Sequence, residues 1–192
     1  MNLRSIFGFA LGPIASAAFG LITVPIVAWT FSAEDVGRLN ILQVTVSFFL
    51  LLLVLGLDQA YVREFHESTD RMQLLKACFI PGFILLVLVC VLTAVFGAKL
   101  SGILYGTANP VYLWFTLASV AVAFLSRFLS LILRMQERGL AFSISQAIPK
   151  LLMLLILCLI YIANLPHNFF ALLVTFFISN SIATVVYLRN TQ

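Results

Sequence analysis

The sequence predicts an all-α membrane protein with six transmembrane helices. Three observations carry that prediction. First, hydrophobic residues make up 62% of the 192-residue chain and charged residues only 9%, with a mean hydropathy of +1.13. A soluble domain of this size has polar surface to cover and does not reach such values. Second, several charge-free runs reach the roughly 20 residues needed to cross about 30 Å of hydrocarbon. Third, Lys and Arg gather on every second connection between those runs.

The charge-free runs cover 5–33, 39–57, 77–98 and 100–126, and the last covers 167–188. The stretch 140–163 is apolar except for Lys150. Each reads as a helix, because an isolated strand leaves its backbone unsatisfied in lipid. With flanking residues added, the expected spans are 5–31, 37–62, 75–98, 109–134, 140–163 and 167–188, in a single unit. Breakers mark the connections: Ser32-Ala33-Glu34-Asp35, the stretch from Gly102 to Pro110, Glu137-Arg138-Gly139 and Asn164-Leu165-Pro166. The third span has only Thr93 as a polar residue in its interior and reads as lipid-facing.

The cations orient the chain. Arg4, Arg63, Arg71, Lys76, Arg134, Arg138 and Arg189 fall on the side of the two termini, against Arg38 and Lys99 on the other. By the positive-inside rule both termini are expected in the cytoplasm. Trp29, Tyr105, Tyr112, Trp114 and Tyr161 sit toward the outer ends of their helices, as an interfacial belt does, and Tyr61 and Tyr187 toward the inner face. The net charge of +4 is accounted for by orientation signals and an anionic inner leaflet, so no nucleic-acid partner is expected. The first span exceeds the 7–15 residues of a secretory h-region and lacks a cleavage site, so it is expected to be retained. Cys78, Cys90 and Cys158 lie within spans and read as packing residues rather than a disulfide.

Enzyme signals are scarce. His66 and His167 fall in loops on opposite membrane faces and cannot share a metal, so no metal or other cofactor is expected. The chain contains no GxSxG, HExxH or GxxxxGK[ST]. An intramembrane serine protease needs a Ser–His pair within the membrane, and neither His lies there. The chain is expected not to be an enzyme.

The informative residues are those that cost free energy in lipid. Asn40, Gln43 and Ser47 share one face of the second span, at i, i+3 and i+7. Arg127, Ser130 and Arg134 repeat that spacing on the fourth span, as do Ser143, Gln146 and Lys150 on the fifth. The first span carries Gly12, Ser16, Gly20 and Thr23 on one face, and the sixth offers Asn180 and Thr184. Small and weakly polar stripes commonly serve helix packing alone. Lys150 is different. It lies about 16 Å along its helix from Gly139, near mid-membrane, where a charge costs about 2.5–3.5 kcal/mol or more. It should face a wet cavity or a partner. Arg127, about 10 Å from the inner interface, and Asp58 at similar depth form a candidate ion pair; a cavity role is the alternative for both. The loop 63–71 carries mixed charge and reads as a solvated connection.

Two stretches resemble a known family. One begins at Pro25-Ile26, continues through Phe31-Ser32-Ala33-Glu34-Asp35-Val36-Gly37, and ends in Leu55-Gly56-Leu57-Asp58-Gln59-Ala60-Tyr61-Val62-Arg63. The other is Leu133-Arg134-Met135-Gln136-Glu137-Arg138-Gly139-Leu140-Ala141-Phe142-Ser143-Ile144. In order and spacing they are similar to the bacterial polysaccharide and O-antigen flippases of the MATE-like superfamily. The resemblance implies a carrier that flips an undecaprenyl-pyrophosphate-linked oligosaccharide across the bacterial inner membrane, for O-antigen, capsule or exopolysaccharide assembly. It implies cavity cations, here Lys150 and Arg127 with Arg134 at the inner mouth, and a sugar-facing set of Gln146, Asn40 and Gln43. It also implies two lobes related by a pseudo-two-fold axis, of which this chain matches the first. The expected partners are lipid-linked oligosaccharide, membrane lipids, and a second six-helix lobe or a second copy in a homodimer, with a polysaccharide polymerase as a further candidate. A non-transporting scaffold or partner subunit of a polysaccharide-assembly complex is the alternative.

Overall fold

The computed structural model describes residues 3–68 and 70–191, with side chains from Ala10 onward. The Arg4 side chain and Thr69 of the mixed-charge loop lie outside that set. The described residues are all-helical: α1 (Leu3–Thr30), α2 (Ala33–Val54), α3 (Leu57–Glu64), α4 (Arg71–Tyr105), α5 (Pro110–Met135), α6 (Gly139–Ile162) and α7 (Phe169–Thr191). All but the short α3 are long and apolar enough to cross a membrane.

Local chemistry sets the helix ends. Ser32 caps α2, its hydroxyl accepting from the Asp35 N–H while donating to the Asp35 carboxylate, and Glu34 and Asp35 complement the helix dipole. Asp70 caps α4 by accepting from the N–H groups of Met72 and Gln73, both at 3.0 Å. Asn109 caps α5, with Pro110 at the first helical position, where the missing N–H costs nothing.

The helices run differently from the expected spans in three places. The second span, read as 37–62, is two helices. Leu55 and Gly56 both adopt the left-handed conformation (φ 51° and 74°), which ends α2 and starts α3 at a new angle. The third span, read as 75–98, runs from Arg71 to Tyr105, so Lys99 is a helical residue and not part of a connection. Gly97, Lys99 and Gly102 all fit helical backbone, and the stop comes at Gly106 in the left-handed region. At 35 residues, α4 is about 52 Å long and exceeds the hydrocarbon thickness. Nor is this helix wholly lipid-facing: it buries Cys78, Gly82, Leu86 and Thr93 and packs on α2, α3 and α5. The last span starts at Phe169 and continues to Thr191.

Packing is uneven. α5 and α7 form the centre with α2, α4 and α6 around them, whereas α1 packs almost entirely on α6 and touches α2 only slightly. The α1–α6 contact rests on small residues. A Cβ at Gly12 would lie 2.6 Å from the Ser143 Cα, and the Ser16 hydroxyl donates to the Gln146 carbonyl at 3.0 Å. One end of the bundle joins Phe31 to His167, and the Arg38 guanidinium to the Tyr105 carbonyl at 2.9 Å. The other joins the Arg138 guanidinium to the Asn190 carbonyl. Of the residues expected in an aromatic belt, Trp29, Trp114 and Tyr161 are exposed. Tyr105, Tyr61 and Tyr187 are instead buried; the Tyr105 hydroxyl shares a 2.7 Å hydrogen bond with Thr116, and its ring packs on Phe169.

Candidate functional site

Because α1 barely meets α2, a cleft opens between the α1–α6 pair and the α2–α3–α5 wall. The polar stripes line three regions, which share no wall residue.

The first region lies between α1, α2 and α6 and encloses about 290 Å³. Lys150 enters from α6, Asn40 and Gln43 from α2, and Gly20 and Thr23 from α1. The Thr23 hydroxyl is spent on the Phe19 carbonyl, so the polar chemistry here belongs to Lys150, Asn40 and Gln43. Lys150 is exposed and forms no ion pair among the described residues. Pro149, immediately before it, cannot donate to the helical ladder, which leaves a backbone carbonyl one turn earlier without its usual partner.

The second region, about 410 Å³, lies between α2, α3 and α5 and is lined by Ser47, Asp58, Gln59 and Arg127. The Arg127 Nε donates to the Asp58 Oδ2 at 3.2 Å, and Nη2 donates to the same oxygen. The other carboxylate oxygen accepts from the Gln59 N–H at 2.9 Å. The pair is asymmetric, with 6% of the Asp58 side chain exposed against 42% of Arg127. The break at Leu55-Gly56 is what turns α3 so that Asp58 points back at α5.

The third region, about 520 Å³ and wide open, lies between Pro13, Arg134, Phe142 and Gln146. The Arg134 guanidinium sits 5.8 Å from the centre of the Phe142 ring, a cation–π contact. The Gln146 Oε1 is buried and lacks a hydrogen-bond partner among the described residues.

The structure therefore brings Lys150, Asn40 and Gln43 together, separates them from the Arg127–Asp58 pair, and places Gln146 with Arg134. Among the described residues no group of three His, Cys, Asp or Glu side chains comes together to hold a metal. Gly20, read from the sequence as part of a packing stripe, joins the lining, as do Pro13 and Gln59. A small or kinked residue marks a cleft wall only once the neighbouring helix is known.

No curated protein sequence and no solved structure matches the chain. A family model described as polysaccharide biosynthesis protein matches residues 3–190, nearly the whole length. Together with the multi-pass helical architecture and the polar cleft, that match carries the assignment: the chain belongs to the polysaccharide biosynthesis protein family of flippase-type membrane proteins.

Proposed function

We propose that the chain takes part in flipping an undecaprenyl-pyrophosphate-linked oligosaccharide across the bacterial inner membrane, with both termini in the cytoplasm. One observation supports this most strongly. Lys150 stands mid-helix in a cleft with Asn40 and Gln43, exposed and without a counter-ion among the described residues. An unpaired cation at that depth is costly unless it faces water or an anion. A pyrophosphate supplies the anion, and side-chain amides beside it suit sugar hydroxyls. Arg127 and Arg134 extend the positive character toward the cytoplasmic mouth. Asp58 offsets part of the Arg127 charge and holds it in place.

The exposed polar wall also requires a cover. A second six-helix surface, from another lobe or a second copy, would complete the cavity, since alternating access needs two units rocking about a shared site. The test is assembly of O-antigen or capsule in a strain carrying Lys150→Ala and Arg127→Ala at normal membrane abundance. The proposal predicts loss of surface polysaccharide with accumulation of the lipid-linked precursor. Unimpaired assembly would remove it.

A further inference from the structure

On the face of the bundle away from the cleft, α4, α5 and α7 leave a crevice of about 280 Å³. Its wall is made of Ile80 from α4, Leu125, Leu129 and Ile132 from α5, and Leu188 from α7. Thr184 also lines it, but its hydroxyl is spent on the Asn180 carbonyl and on Ser126. The α5 residues step along one helix face from Leu125 to Ile132, about 10 Å toward the end of the bundle that carries Arg134 and Arg138. Lys76 stands at that end of the crevice, in the second turn of α4. It is exposed and makes no ion pair among the described residues.

We propose that this crevice binds an anionic phospholipid, with one acyl chain along Leu125, Leu129 and Ile132 and the phosphate on Lys76. The wall itself is apolar throughout; Lys76 contributes its hydrocarbon stem, and its ammonium is free to reach the interface just beyond the crevice. A basic group at the mouth of a groove between transmembrane helices is the arrangement that selects acidic head groups. A second crevice supports the distinction. It lies between α2, α4 and α5, is larger at about 370 Å³, and has no charged side chain in its wall. It offers room for a chain and nothing for a head group. The Lys76 site shares no lining residue with the three regions assigned to the oligosaccharide, and α5 borders both on different faces.

Native mass spectrometry of the full chain, delipidated in detergent, tests this with phosphatidylglycerol and phosphatidylcholine of identical chains. One interfacial lysine contributes about fivefold in preference, so phosphatidylglycerol should be retained over phosphatidylcholine by about that factor. Lys76→Gln should abolish the preference, and Lys99→Gln, at the other end of α4, should leave it intact. Leu129→Trp should fill the crevice and lower retention of both lipids, with helix content by circular dichroism unchanged. Equal retention of the two lipids by the parent chain, or an undiminished preference in Lys76→Gln, overturns the proposal. So does a dimer that excludes lipid, which would assign the crevice to a second copy.

Discussion

Replacing either member of the Asp58–Arg127 pair should destabilise the fold by very different amounts. Arg127→Ala leaves a buried carboxylate with one remaining donor, the Gln59 N–H at 2.9 Å. Stranding a buried charge costs about 3–5 kcal/mol, and partial hydration from the neighbouring cleft puts this case at the lower end, about 3 kcal/mol. Asp58→Ala leaves a guanidinium whose side chain is already 42% exposed. It turns into the cleft and stays hydrated, at about 1 kcal/mol. The double replacement strands nothing and should cost about 1–2 kcal/mol, less than Arg127→Ala alone. The implied coupling is about 2–3 kcal/mol. Unfolding of the purified protein in mild detergent, followed by tryptophan fluorescence or circular dichroism, measures all four species. Losses that add to within about 0.5 kcal/mol would refute the reasoning, as would a larger loss for Asp58→Ala than for Arg127→Ala.

Two further substitutions probe packing and backbone separately. At Gly82 an added Cβ would overlap the Leu53 carbonyl oxygen and the Phe124 ring, so Gly82→Ala should cost about 1–3 kcal/mol in the same unfolding assay; a neutral result would show that α4 does not approach α2 so closely. Gly56→Ala meets no atom within 4 Å, so its cost should be purely conformational, about 1–2 kcal/mol for an L-residue at φ 74°. Gly102→Ala, equally unobstructed but inside α4, should instead raise stability by about 0.5–1 kcal/mol, and the two alanines moving in the same direction would contradict the assigned backbone.

The existence of six spans was legible because hydrocarbon tolerates few charges, and the charge-free runs display that constraint directly. The break in the second span was not. Positions 39–57 are charge-free, positions 48–55 are uniformly apolar, and nothing in composition distinguishes a left-handed Leu55 from a helical one. Lys99 misled in the opposite direction: a lysine reads as a boundary, yet near a helix end it reaches the interface while the helix continues. Tyr105 lies at a helix end as the exposed Trp29 and Tyr161 do, and only the arrival of Thr116 and Phe169 from later helices buries it. The same non-locality limits the site. Periodicity identified which residues share a helix face, including Asn40 with Gln43 and Gln146 with Lys150. It could not tell that α1 would leave α2 and pack on α6, and that choice puts Lys150 beside Gln43 and Gln146 beside Arg134.

The central claim is that Lys150 is an anion-facing residue of the cleft and not a packing residue. In a strain lacking the chromosomal copy, surface polysaccharide should be restored by the parent chain and by Lys150→Arg, but not by Lys150→Leu, even though leucine should make the isolated protein more stable by about 1–3 kcal/mol. Full restoration by Lys150→Leu, at equal membrane abundance, would contradict the account and favour a scaffold role.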